Sequence, residues 1–259
     1  MINHARRGSG PPLLLVHGLG GSRNSWDPIA GALAERREVI AIDLPGHGAT
    51  PAGPDSGTFN GLADSVERFI RDQRLGGIDV AGSSMGARIV LEMARRGVVS
   101  NVVALDPGGF WHGWERTFFK STIGASVRLL RLLRPALPAL SRNVASRTAL
   151  LAQLSARPST LDPTMVAAEL ESFVATRTFD SLVSDLSSGP AQQGPAAPST
   201  GNVVIGWGRS DRLCLPRQAK RAIAAFPSAK LHWFERCGHF PIWDQPEQAV
   251  QLILSSTGD

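Results

Sequence analysis

Val80-Ala81-Gly82-Ser83-Ser84-Met85-Gly86-Ala87-Arg88 is the stretch on which the reading of this chain turns. It holds a Gly-x-Ser-x-Gly pattern, with an apolar run at 78–81 before it and a helical spacing over 85–97 after it. The pattern makes chemical sense as a sharp strand-to-helix turn. Glycines two residues to either side of Ser84 remove side chains that would collide, and the serine hydroxyl is held exposed above the sheet on a strained backbone. The helix that follows points its positive N-terminal end at any oxyanion forming nearby. Short matches to these five residues also occur in ordinary serine-glycine turns, so the flanking strand and helix carry the reading.

Outward from that turn, Leu13, Leu14, Leu15 and Val16 form a continuous apolar run, as in a strand covered on both faces of a parallel sheet. It runs into HGLGG at 17–21. Residues 25–36 have helical spacing, with Trp26, Ile29 and Leu33 on one face. A strand is expected over 39–44, entering DLPGHG at 43–48, and a helix over 59–74 that buries Leu62, Val66, Phe69 and Ile70. After the serine turn, a strand at 101–105 closes on Asp106-Pro107, and at the start 2–6 leaves room for a short edge strand. Strand and helix alternate, so the expected fold is α/β, a mostly parallel sheet with helices on both faces.

The texture changes at Gly108. Phe110, Trp111, Trp114, Phe118 and Phe119 cluster, followed by Leu- and Arg-rich helical patterns over 123–134 and 137–154 and another over 164–173. No strand-like run returns before Val203, and roughly eighty residues are too many for a structureless loop. Residues 1–107 and 202–259 are therefore assigned to the core, and 108–201 to a helical cap insertion with a linker at 189–201. The core pattern resumes with a strand at 202–207, GRSD at 208–211, a helix over 216–226, a strand at 230–234, a CGHFP loop at 237–241 and a closing helix over 245–254.

At 259 residues and 27.6 kDa, the chain can bury one large core plus an inserted lid. Its 27 basic and 22 acidic side chains leave a charge of +5, scattered without a basic block, so no nucleic-acid partner is expected. Arg128, Arg131 and Arg134 sit three apart and read as a solvated stripe in preference to an anion site. No apolar run reaches the length of a membrane span, and the N-terminus lacks the order of a secretion signal. Cys214 and Cys237 make neither a disulfide framework nor a metal spacing and read as small packing residues. A cytoplasmic protein is the simplest expectation.

The chain resembles the α/β-hydrolases that carry a helical cap, over nearly its whole length. The resemblance rests on HGLGG, DLPGHG, GSSMG (82–86), GRSD and CGHFP, each at the end of an expected strand, and on the order Ser84, Asp211, His239. The short N-terminus departs from the family pattern and suggests a trimmed sheet edge. The resemblance implies that Ser84 is a nucleophile, His239 its base and Asp211 the acid that fixes the histidine tautomer. It implies an oxyanion hole made by the backbone N–H groups of Met85 and Leu19, with Gly20 as the alternative to Leu19. Ser83 lies off the motif register. Asp106 also ends a strand, and some relatives take their acid there; Asp211 is preferred because Gly-x-x-Asp after a late strand is the commoner arrangement. His17 and His47 belong to loop motifs that shape backbone, and His112 and His232 read as structural or exposed.

Base and oxyanion donors come from the protein itself, so neither cofactor nor metal is expected. Phe110, Trp111 and Trp114 follow directly on a strand end, outside which ligands of parallel sheets bind, and are the candidate substrate pocket. The expectation is a serine hydrolase acting on a small or medium apolar ester or lactone through an acyl-enzyme, with a small molecule rather than a membrane or nucleic acid as partner. Relatives of this architecture also include thioesterases, carbon–carbon bond hydrolases and cofactor-free haloperoxidases, which fold does not separate. Epoxide hydrolases and dehalogenases place an aspartate where Ser84 stands. The carbon–carbon hydrolases often follow His-Gly with Gly-Pro-Gly, from which Leu19-Gly20-Gly21-Ser22 departs. A hydrolase-fold ligand-binding receptor with little turnover is the alternative from another class.

Overall fold

The computed structural model describes residues 1–195 and 201–258. Seven strands form one sheet in the order β1-β3-β2-β4-β5-β6-β7. The chain runs β1 (His4–Arg7), β2 (Pro12–Val16), α1 (Asp27–Ala34), β3 (Glu38–Ile42), α2 (Phe59–Asp72), β4 (Asp79–Ser83), α3 (Met85–Arg95) and β5 (Val102–Leu105). Among the described residues, five helices follow without a strand: α4 (Glu115–Leu133), α5 (Leu137–Arg142), α6 (Val144–Leu151), α7 (Pro163–Ala175) and α8 (Phe179–Ser188). The sheet then resumes with β6 (Val203–Gly208), α9 (Ala219–Ala225), β7 (Lys230–Phe234), α10 (Pro241–Asp244) and α11 (Pro246–Ser256).

Only β1 is antiparallel, pairing its His4 with Ile42 and its Arg7 with Val39 at the sheet edge. The other strands pair in parallel, β4 lying between β2 and β5. The central strands are apolar on both faces because helices cover both: Leu13 to Val16 and Val102 to Leu105 are fully buried. From β2 the chain winds outward to β3, then crosses back to β4 on the other side. The crevice outside the carboxyl ends of β2 and β4 is therefore a topological switch point, where open sheets bind ligands. HGLGG lies at the end of β2 and Ser84 at the end of β4, facing each other across it.

The expected edge strand is present as β1, two residues later than read from sequence. The single helix expected over 137–154 is two, because Asn143 leaves the helical region (φ −77°, ψ 125°) and its side chain accepts from Ala145 and Ser146 N–H, starting α6. Helix α8 was not expected, nor the short α10. Of the expected linker, residues 196–200 lie outside the described residues. Gly189 accepts a hydrogen bond from Arg116 and Gln192 N–H donates to Gly109, while Pro190 accepts from Arg88 on α3, which ties this stretch to the core. No described helix is long and apolar enough to cross a membrane.

Candidate active site

The serine turn is built by close backbone contact. A β-carbon on Gly86 would come within 2.1 Å of the Val16 carbonyl oxygen, and one on Gly82 within 2.3 Å of the Gly86 carbonyl oxygen. Both positions need glycine, so α3 can lie directly on the end of β2. Ser84 takes φ 56° and ψ −114°, a conformation rare for a residue with a side chain, and so stores strain at the tip. Its N–H donates to Leu105 on β5 at 2.9 Å, which ties the strained residue to the sheet.

That conformation lifts Ser84 Oγ toward the loop after β7. There His239 Nε2 lies 2.8 Å from Ser84 Oγ, and Nδ1 lies 2.8 Å from Asp211 Oδ2. The other oxygen of Asp211 accepts from Leu213 and Cys214 N–H at 2.8 and 3.0 Å. An acid so held leaves Nδ1 to carry its proton and Nε2 to accept from the serine hydroxyl. His239 and Asp211 are both buried. Asp244, which sequence reasoning did not single out, holds the histidine loop: it accepts from Gly238 N–H at 2.7 Å, Ser155 Oγ–H at 2.6 Å and Ala156 N–H at 2.8 Å. His239 N–H itself donates to Leu154. Residues after α6 therefore brace the histidine from the insertion side.

Asp106, the rival acid, is wholly buried beside Asp211, with a left-handed φ of 48°. Its Oδ1 accepts from Gly208 N–H at 2.8 Å, while Oδ2 meets no N–H or O–H donor. Burial and the neighbouring Asp211 charge push its pKa well above the usual carboxylate range. Asp106 thus lies beside the acid without touching the histidine, while Asp211 faces the histidine.

The loop after β2 is fixed by His17, whose Nδ1 donates to the Gly18 carbonyl at 2.7 Å and whose Nε2 accepts from Leu44 N–H at 3.0 Å. Burial lowers the pKa of His17 to about 4 and that of His47 to about 3, so both rings are neutral and shape backbone. Met85 opens α3, so its N–H is among those with no acceptor inside the helix. Leu19 lines the cavity that holds Ser84. Gly20, at φ 78°, is wedged against Phe173 and Phe179, and its carbonyl faces the Thr176 hydroxyl.

The cavity above Ser84 has a volume of about 30 Å³. Trp111, Phe119 and Ile123 close it from α4 and the segment before it, Phe173 from α7, Phe179 and Leu186 from α8, and Phe240 from the histidine loop. Trp111 stacks on Phe119 at 4.6 Å, and its indole Nε1 has no hydrogen-bond partner among the described residues.

Two of the expected pocket residues do not reach it. Trp114 is 58% exposed and lies under Arg217, 4.7 Å from guanidinium to ring. The reason is helical phase: Glu115, Phe119, Ile123 and Val127 take the inner face of α4, and Glu115 is held there by Arg217 and Arg221. Phe110 is buried in the core beside the cavity rather than in its wall, and its carbonyl accepts from Arg221.

The remaining candidates fall elsewhere. His112 is exposed, and His232 is half-buried against Phe234. Ser83 is buried with its hydroxyl unpaired. Arg131 and Arg134 pair with Asp180 and Glu171 on the surface, and Arg128 is exposed, as a solvated stripe requires. Arg88, one turn after Ser84 and unremarked in the sequence, is buried at the cavity wall. Its Nη2 donates to Pro190 and its guanidinium lies 4.0 Å over Phe59. Burial lowers its pKa to about 10.

Cys214 and Cys237 are both free and buried. Asp211, Cys214 and His239 bring possible ligand atoms within 4.8 Å of one another. Burial pushes the Cys214 thiol far up, and the acid and both ring nitrogens are already committed to the contacts above. The donor set is thus occupied by the hydrogen-bonded line itself.

A strained serine at a strand-to-helix turn, with a histidine and an acid on later strand ends of a mostly parallel sheet, is the arrangement of an α/β hydrolase. A sequence model of the alpha/beta hydrolase family matches residues 13–252, and the chain belongs to that family. An uncharacterized protein of Mycobacterium bovis is 27% identical, over 95% of this chain and 75% of that protein. A 2-hydroxy-6-oxononadienedioate/2-hydroxy-6-oxononatrienedioate hydrolase of Cupriavidus pinatubonensis is 24% identical, over 95% of this chain and 86% of that one. Among solved structures, an esterase from Exiguobacterium antarcticum superposes with a TM-score of 0.79 at 18% identity, covering 98% of this chain and 94% of that chain. At that identity the likeness is one of fold.

Proposed function

We propose that this hydrolase cleaves small or medium apolar carboxylic esters or lactones through an acyl-enzyme on Ser84. The observation that carries the reading is the line Ser84–His239–Asp211, with 2.8 Å at both hydrogen bonds, opening on a nearly apolar cavity. Ser84 Oγ attacks the substrate carbonyl carbon as its proton passes to His239 Nε2. Asp211 stabilises the imidazolium through Nδ1–H. The oxyanion takes the N–H groups of Met85 and Leu19, each contributing about 3 kcal/mol in the transition state. Collapse breaks the bond to the alcohol, which leaves with the proton from His239. Every group these steps require is a side chain or amide of the chain, so the proposal includes no cofactor. It also places the enzyme in the cytoplasm, where the free thiols of Cys214 and Cys237 remain reduced.

A second reading, carbon–carbon bond hydrolysis, is favoured by the relative from Cupriavidus pinatubonensis, whose name describes a hydrolase of an oxo-dienedioate. A panel of p-nitrophenyl esters, lactones and vinylogous diketones, ranked by kcat/KM, tests the two. Esters or lactones are expected to lead. Leadership by the diketones overturns the ester reading, and the absence of turnover on all three points to a ligand-binding receptor.

A further inference from the structure

Behind the Leu19 wall lies a second, smaller cavity. Leu19, Phe173 and Phe240 form its partition with the substrate cavity. Its other walls are of different chemistry, for Trp26, Ser83, Trp243 and Glu169 all line it. Trp26, Ser83 and Trp243 are 0%, 2% and 7% exposed, yet both indole Nε1 atoms and Ser83 Oγ lack a hydrogen-bond partner among the described residues. Glu169, on α7, accepts from Ser25 Oγ–H at 3.2 Å. Buried donors are rarely left unpaired, because desolvation without a bond is costly. Three such groups around one cavity point to a ligand.

Size and donor pattern identify it. The cavity offers about 10 Å³ to the centre of a water-sized sphere, against about 30 Å³ above Ser84, which is room for about one water. Two indole N–H groups donate, the Ser83 hydroxyl donates or accepts, and the Glu169 carboxyl accepts, which together complement a single water. Hydrolysis of an acyl-enzyme needs a water within reach of His239. Once an acyl chain fills the substrate cavity, its apolar walls exclude water, yet each turnover consumes one molecule.

We propose that this chamber stores the water that hydrolyses the acyl-enzyme and delivers it past Leu19 and Phe240 to His239. The proposal rests on the acyl-enzyme reading above. In the step it serves, the water oxygen bonds to the acyl carbon while one water proton moves to His239 Nε2. The Ser84 Oγ–acyl bond then breaks, Oγ recovers that proton, and the carboxylic acid leaves. Trp26, Ser83 and Trp243 are positioning residues, acting through the water.

Trp26→Phe and Trp243→Phe each remove one N–H and keep the ring. On mixing with p-nitrophenyl butyrate, intact-mass spectrometry should show acyl-Ser84 accumulating in both variants, with its decay slowed about ten-fold. Because kcat/KM reports only the steps through acylation, kcat and KM should fall together with their ratio preserved. A purely structural defect lowers the ratio instead, and that result, or acyl-enzyme decay at the wild-type rate, overturns the proposal. A high-resolution crystal structure should show a water bonded to both indole nitrogens, and a dry chamber overturns it too. If wild-type Ser84 takes up no fluorophosphonate label, the acyl-enzyme reading itself fails; if Ser84 is labelled and the variants release product at wild-type speed, the chamber alone fails.

Discussion

The serine turn and the helical insertion meet over the same cavity but are specified in different ways. At the turn, backbone decides position: Gly82 and Gly86 allow α3 to touch β2, and Ser84 is strained into place between β4 and β5. In the insertion, side chains decide: Trp111, Phe119, Ile123, Phe173 and Phe179 form a wall whose surface changes with any one of them. The contrast teaches that chemistry and selectivity are separable here. On the proposed reading, reaction steps depend on the sheet ends, and the choice of acyl group depends on α4, α7 and α8.

The separation breaks first at the nucleophile, if anywhere. Ser84→Ala should lower kcat on a good ester by about 10⁶-fold without unfolding the chain. A fluorophosphonate adduct mapped to Ser83 would move the chemistry off the turn. Next come the two acids. Asp211→Asn should cost about 10⁴-fold in kcat by stabilising the wrong histidine tautomer. Asp106→Asn keeps a donor toward Asp211 and should cost less than about ten-fold; steady-state kinetics giving the reverse order would exchange their roles.

Glu169 tests the seam between the regions through stability. Burial raises its pKa from 4.5 to about 7. Between those values the folded state binds more protons than the unfolded one, so stability falls as pH rises through this window. Glu169→Gln should match wild type below pH 4.5 and be more stable above pH 7, by at most roughly 3 kcal/mol. Urea melts at pH 4.5 and 8 measure the difference, and equal gaps at both would show that Glu169 does not titrate there. The smallest effect belongs to the wall. Each methylene from acetyl to butyryl or hexanoyl esters should raise kcat/KM about four-fold, the equivalent of about 0.8 kcal/mol. Trp111→Ala should flatten that series and Trp114→Ala leave it unchanged, because Trp114 faces solvent.

The same contrast explains what could be read in the sequence. Buried parallel strands are continuous apolar runs, and glycine-flanked turns are local, so the sheet and the positions of Ser84, Asp211 and His239 were legible. Helix α8 carried its own signal: Phe179, Leu182, Val183 and Leu186 follow the spacing of a buried helical face, inside a stretch whose serines obscured it. Trp114 was misplaced because clustering says nothing of helical phase, which the burial of Glu115 sets. The bracing by Asp244 joins residues 88 and 89 positions apart and leaves no local pattern. Nor does the raised pKa of Asp106, which comes first from burial and then from an Asp211 brought close by the pairing of β5 with β6.

Those facing acids bear on descent. Two carboxyls lie side by side at the ends of adjacent strands, so a second acid stands next to the partner of the histidine before any duplicate is needed. Replacing Asp211 with a small uncharged residue removes the charge that, after burial, most raises the Asp106 pKa, and leaves Asp106 beside the vacated place. A lineage can thus pass its acid from one strand to the next while the nucleophile, the histidine and the sheet stay where they are.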